Sequence, residues 1–369
     1  MGTSTLIIVM IAAASVGNSI PEAEIKKQNT VFEKCWNDDF VWNFERLPTK
    51  GGVPEERIPY SGYIYLDKWG GTIDVLNKYD RAFNSNRGFP ASSWESSDTA
   101  ASKKRTRTGG LFFGRTENAN GWFGHCNGWT AAAIRHAEPQ HSVRMNGIEF
   151  TPADIKGLLA EVYIYNEHEV LAGVKTSLNP ATLHAIFANW VGRGSHPIGM
   201  DSDPGEEIWN YPIYSYASAC TKRSPREVEV RTNVLYAKDT EDREYDKSPR
   251  DHKLKSFHYM LQLDARGDIV GGYYYGDSDR IDFVWVPWRP KQSGEAGNER
   301  GNPYVDVSQV MEIWRKSVSR EVRRHWLIVD LADEDRAVEV ADPSRILPRN
   351  IRIVPPERTA ESTNLPTVR

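Results

Sequence analysis

Gly121-Trp122-Phe123-Gly124-His125-Cys126-Asn127-Gly128-Trp129-Thr130-Ala131-Ala132-Ala133-Ile134 places a cysteine between glycines where a helix should begin. The alanine triplet favours helix and lets neighbouring backbone approach closely. A thiol at a helix N-terminus meets positive potential and unbonded backbone N–H groups, which favour the thiolate. The same N–H groups can hold an oxyanion as an acyl group is transferred. Gly121, Gly124 and Gly128 leave room for a substrate backbone beside Cys126. The competing reading is a buried, inert cysteine flanked by glycine turns.

The composition of the chain is that of a folded, soluble protein. It has 369 residues, 39% hydrophobic and 26% charged, enough for one large domain or two smaller ones. A net charge of −4 argues against a nucleic-acid partner. The cationic run Lys103-Lys104-Arg105-Thr106-Arg107 lies in a Ser/Thr/Gly-rich stretch and reads as a solvated loop. Thr5 to Val16 is too short an apolar run to span a bilayer but suits the core of a signal peptide, with cleavage near Ala14 or Gly17. No Lys or Arg precedes it, and a buried N-terminal strand is the alternative. The expected location is therefore extracytoplasmic, with no membrane span. Of three cysteines, Cys35 and Cys220 are expected to pair, leaving Cys126 as the reactive thiol. Most of the 12 Trp belong to a core. Trp122 and Trp129 are candidate walls of a substrate cleft, with core packing as the alternative.

Helical signals come first along the chain. Residues 20–55 are polar and irregular, and 84–120 read as loops. Thr151-Pro152-Ala153-Asp154 is a capping-box-like start, followed by an apolar stripe at Ile155, Leu158, Leu159 and Val162. Asn179-Pro180 opens another helix, with Leu183, Ile186, Phe187, Trp190 and Val191 buried. Strands follow. Phe257, Tyr259, Leu261 and Leu263 alternate onto one face, Ala265-Arg266-Gly267 is a turn, and Ile269 to Tyr275 should return antiparallel. Ile281 to Trp285 is a further strand, Val305 to Ser319 a late helix, and Trp326 to Leu331 a strand. The resulting fold class is α+β. The expected division is a signal peptide (1–19), an N-terminal extension (20–56), a catalytic domain (57–341) and a loosely ordered tail (342–369).

A nucleophilic thiol needs a base, and the base an orienting group. His258, on the polar face of its strand, is the candidate base. Asp282 and Asp277 can each orient it, with Asp282 preferred. His125 is next to Cys126 but points elsewhere on a helix, and His184 and His136 are fallbacks. The acidic stretch Asp201 to Glu207 lacks an EF-hand ligand pattern and reads as a solvated turn. No cofactor and no metal is expected.

These motifs resemble the transglutaminase-elicitor family, known from Phytophthora cell-wall proteins and bacterial relatives. Tyr60-Ser61-Gly62-Tyr63 with Gly70-Gly71 and Lys78-Tyr79-Asp80, the Cys126 motif, and Asn146 to Lys156 occur in the family's order. Leu183-His184, Ala188-Asn189, Leu261 to Asp264, Ile269 to Gly272 and Asp282 to Trp285 complete the likeness, which covers roughly residues 57–290. Trp209, Asn210 and Pro212 are similar to the family's elicitor peptide, which is displayed at the surface and bound by a receptor. The resemblance implies a papain- or transglutaminase-like core carrying a Cys-His-Asp triad. It also implies a secreted protein-glutamine γ-glutamyltransferase that acts on proteins bearing Gln and on Lys or small amines, compatible with calcium-free activity. The chain departs from the family at Tyr211, at Tyr273-Tyr274 and at Arg280-Ile281; the last removes a family histidine and favours His258. A cysteine protease, a deamidase or a non-catalytic elicitor are the alternatives.

Overall fold

The computed structural model describes residues 18–105, 123–173, 178–205 and 207–328. The apolar run 5–16, Trp122 and the tail 342–369 lie outside them. All strand pairings of the main sheet are antiparallel. Its path begins with β1 (Asn18–Ser19), β10 (Ile269–Tyr274), β9 (His252–Leu263) and β8 (Glu227–Ala237). It continues through β7 (Asn210–Ser224), β6 (Ile198–Asp201) and β11 (Phe283–Pro290) to β5 (Asn166–Gly173), and β2 (Lys50–Gly52) adds to β7. A separate hairpin joins β3 (Val143–Met145) to β4 (Ile148–Phe150).

Successive residues of a strand face opposite sides of a sheet. Val284 and Val286 of β11 enter one core, while Trp285 between them enters the other. The first core holds residues of α1 (Glu22–Trp36) and α6 (Pro180–Ile186), together with a π-helical turn at Phe187–Arg193. The second holds residues of α2 (Ile73–Phe83), α4 (Cys126–Arg135), α5 (Pro152–Tyr163) and α7 (Val307–Ser317). The expected α+β arrangement, with the Cys126 helix against an antiparallel sheet, is present.

Local signals set the best-read elements. Thr151 Oγ1 accepts from the Asp154 N–H at 3.3 Å while Asp154 Oδ2 accepts from the Thr151 N–H at 2.8 Å, closing the capping box of α5. Asn179 Oδ1 caps α6 through the Ala181 N–H at 2.9 Å. Phe257, Tyr259, Leu261 and Leu263 of β9 are buried together, and β10 returns beside them.

Several expectations are corrected. Residues 20–55 are not irregular: α1 occupies Glu22–Trp36, and Ile20, Phe32, Phe40, Val41 and Leu47 belong to the first core. The segment before residue 57 is therefore part of the body. Residues 90–105 form helix α3 (Pro90–Arg105), not a loop. Trp326 lies in helix α8 (Arg320–Ile328), not in a strand. None of the three cysteines is disulfide-bonded, so the expected Cys35–Cys220 bridge is not formed. Among the described residues no helix is long and apolar enough to cross a membrane.

Candidate active site

Cys126 is the first residue of α4, and backbone contacts hold the turn before it. The His125 N–H donates to the Ile64 carbonyl at 2.7 Å and the Asp67 N–H donates to that of Phe123 at 2.8 Å. A Cβ on Gly124 would stand 2.7 Å from the Ile64 oxygen, so only glycine admits this approach. The side chains of His125 and Cys126 part company here. His125 turns inward to the carboxylates, as its adjacent position implied, and Cys126 faces a cavity of about 290 Å³.

That cavity is lined by Phe123, Ile208, Phe283 and Trp285 as apolar walls, by the amides of Asn127, Asn166 and Asn210, and by His168. Among the described residues no carboxylate, lysine or arginine lines it. Asn210, the first residue of β7, is buried and points its Nδ2 at Cys126 Sγ, 3.8 Å away. Its Oδ1 accepts from Trp285 Nε1 at 2.9 Å, and its backbone oxygen accepts from Thr130 Oγ1 at 3.0 Å. The thiol lies 3.6 Å from the Ile208 carbonyl oxygen. Burial pushes the Cys126 thiol up, more than the N–H groups of Asn210 and Asn127 bring it down. The thiolate expected from the helix N-terminus is therefore outweighed by burial, and Cys126 rests as a thiol.

Among the described residues His168 is the histidine that lines that cavity. It stands on β5 beside β11, its ring 5.8 Å from that of Trp285 and steeply inclined to it. His168 Nδ1 is 3.1 Å from the Asn166 carbonyl oxygen. A carbonyl only accepts, so Nδ1 is the donor here, and in the neutral ring Nε2 keeps its lone pair.

His258 and Cys126 are not brought together. His258 pairs with Arg231 of β8, and Arg231 with Ala219 of β7. Asn210 is nine residues from Ala219 on that strand, roughly 30 Å at about 3.3 Å per residue. His258 instead donates to and is flanked by Asp277 (2.6 Å) and Glu229 (2.9 Å), with Tyr275 stacked on its ring. Asp277 does meet His258, but in a contact that ties the loop after β10 to β9. Asp282 donates its backbone N–H to the Asp201 carbonyl at 3.3 Å and lies just before β11, while the ring nitrogens of His258 are taken by Asp277 and Glu229. The Cys126-His258-Asp triad is accordingly corrected.

Two further expectations change place, and the acidic stretch is the expected turn. Trp129 is 2% exposed, its Nε1 bound to the Tyr60 carbonyl at 3.1 Å, and packs in a core rather than walling the cleft. Asn210 and Pro212 are buried in β7 and Trp209 is half-buried, so these three are not a displayed surface peptide. The acidic stretch is a turn closed by Asp201 Oδ1, which accepts from the Trp209 N–H at 2.9 Å.

Behind the thiol, His125 Nε2 is 3.0 Å from Glu161 Oε2 and 3.9 Å from Glu95 Oε1. Thr72 Oγ1 donates to Glu161 at 2.6 Å and the Thr72 N–H to Glu95 at 3.1 Å. Among the described residues this is the one group whose donor atoms, all within 4.8 Å, could share a cation. The hydrogen bonds already supply it with positive ends, and it reads as a buried ion pair. Burial would lower His125, but the bond to Glu161 and the fields of Glu95 and Glu161 hold it at about 9. Burial and the Glu161 charge push Glu95 up to about 7. Both folded values exceed the ordinary ones, so the stabilisation is complete at acid pH and is lost as pH rises through about 7 and about 9. The melting temperature is expected to fall between pH 6 and pH 9.5, and Glu95→Gln to flatten the lower part of that fall. Parallel melting curves for the two proteins across this range would remove the role given to Glu95.

Residues 91–175 match the family model described as Transglutaminase elicitor, a span that contains Cys126, Asn166 and His168. The resemblance read from the motifs is thus found over that span. Among solved structures, the crystal structure of the GP42 transglutaminase from Phytophthora sojae is similar, with a TM-score of 0.64. The match covers 81% of this chain and 98% of that one at 21% identity, and shows a shared fold. Comparison with curated proteins gives no match.

Proposed function

We propose that this chain is a cysteine acyltransferase that takes the carboxamide of a glutamine side chain as acyl donor and a primary amine as acceptor. The observation that carries this reading is the Cys126 cavity, where a half-buried thiol, a histidine with its Nε2 lone pair available and three amide side chains meet between apolar walls. With no carboxylate, lysine or arginine among the described residues of its lining, the cavity suits a neutral donor group. The family match over residues 91–175 and the fold shared with a transglutaminase support the same chemistry.

His168 Nε2 takes the Cys126 proton as Sγ attacks the carbonyl carbon. The N–H groups of Asn127 and Asn210 face the oxygen as it gains charge. The imidazolium returns its proton to the amide nitrogen, the C–N bond breaks, and ammonia leaves a thioester. An incoming amine passes its proton to His168, attacks the thioester and releases the thiol. Water can take the amine's place, and the apolar walls limit its entry. Export suits a protein acting on extracellular Gln- and Lys-bearing partners, as the apolar run 5–16 suggests.

The test is incubation with a glutamine-bearing protein and a fluorescent primary amine, with Cys126→Ala as background. Covalent incorporation above that background is expected. Incorporation persisting in Cys126→Ala would sink the mechanism, while ammonia release or chain cleavage without incorporation would identify a hydrolase. Loss of all chemistry would favour a binding role for the chain.

A further inference from the structure

Asn166 opens β5 two residues before His168, so the two side chains share a face of the strand. The residue is 6% exposed and lines the Cys126 cavity. Its Nδ2 donates to the Tyr163 carbonyl at 2.8 Å, which fixes the amide's orientation, since a flipped amide would set two oxygens face to face. Its Oδ1 is buried and accepts no hydrogen bond from the described residues. A buried acceptor left unpaired is costly, and in a cavity beside a nucleophile it marks where a ligand donor belongs.

We propose that Asn166 is the residue that reads the nitrogen of the acyl donor, its Oδ1 accepting a hydrogen bond from the carboxamide N–H. The assignment rests on the acyl-transfer reading of Cys126 and adds to it the feature that selects a carboxamide. The groups of Asn210 and Asn127 at the sulfur are N–H donors suited to the carbonyl oxygen, whereas Asn166 Oδ1 is an acceptor and can engage only the nitrogen side. An ester places an oxygen without hydrogen at that point and leaves Oδ1 unpaired. When Oδ1 holds an amide hydrogen, the nitrogen lone pair released as the carbonyl becomes tetrahedral turns toward the proton on His168 Nε2. After ammonia departs, the incoming primary amine occupies the same position and donates to the same oxygen. Asn166 thus serves both halves of the exchange.

The experiment compares two donors with the wild-type chain and with Asn166→Leu and Asn166→Ala. One donor is a glutamine peptide and the other is the same peptide carrying the γ-methyl ester of glutamate. The readout is the ratio of Cys126 acylation rates for amide and ester, with acylation located by mass spectrometry. Loss of the bond to Tyr163 weakens both rates and cancels in the ratio. The ratio is expected to fall about tenfold in both variants, the worth of one hydrogen bond. A ratio unchanged in either folded variant, whether both rates fall or neither does, overturns the role of Asn166. A wild-type chain whose Cys126 accepts neither donor overturns the acyl-transfer reading itself and the inference with it.

Discussion

His168→Ala is expected to lower the rate of amine incorporation about 10³-fold, while His258→Ala leaves it within about twofold. Burial holds Cys126 as a thiol, so each turnover needs a base at the sulfur, and positioned proton transfer of this kind is worth roughly 10²- to 10⁴-fold. His168 lines the cavity with only Nδ1 held by the Asn166 carbonyl, whereas His258 is engaged on both ring nitrogens by Asp277 and Glu229. The comparison is made on kcat/KM for the same glutamine donor, with melting temperatures showing that both variants fold. His258→Ala should loosen the loop after β10, a change visible as faster proteolysis near Asp277. Equal losses in the two variants would return the base to His258 and require a cavity different from the one described.

The features legible in the sequence are those whose physics is local. The capping box of α5, the Asn179 cap of α6 and the alternation of β9 each lie within a few residues, and each is present. Helix α3 escaped because its cap is tertiary. Asp80 of α2 accepts from the N–H groups of Ala91 and Ser92 and from Ser92 Oγ at 2.9–3.0 Å, so a Ser-rich segment of weak helical propensity is held as helix. Helix α1 has only Gln28, Phe32 and Cys35 buried, too sparse a stripe to stand out among its charges. The site divides the same way. Cys126 announced itself through glycines needed for close approach. His168 did not, because its partner is set by β5 pairing with β11 across more than a hundred residues. The readable trace was Asn166 and His168, two polar side chains on one face of a short strand whose next residue on that face, Val170, packs against a core. The Trp209-Asn210 segment misled in the opposite sense, since its position beside the sulfur depends on a β7 that starts inside the fold.

Gly128→Ala is expected to destabilise the chain by about 3 kcal/mol and to reduce acylation of Cys126 further than that loss alone would. A Cβ at residue 128 would lie 2.1 Å from the Ala160 carbonyl oxygen and 3.2 Å from the Ile164 nitrogen. Both obstacles are backbone at the crossing of α4 and α5, so no side-chain rotation relieves them and the helices must part. The crossing is dense on every side: Ala131, Ala132, Ala133, Leu158 and Leu159 are fully buried around it. Overpacking in such a core typically costs 1–3 kcal/mol, and a clash with backbone belongs at the upper end. Cys126 is two residues away on the same first turn, so a shift of α4 carries Sγ off the 3.8 Å approach of Asn210 Nδ2. The anchor on the other side of the turn, His125 with Glu161 of α5, is strained by the same movement. Urea titration should show a lower midpoint with an unchanged slope. Iodoacetamide labelling of Cys126 in the still-folded fraction should show altered thiol reactivity. A wild-type midpoint in Gly128→Ala would mean that the two helices have slack at this crossing, and the glycine beside the nucleophile would then need another explanation.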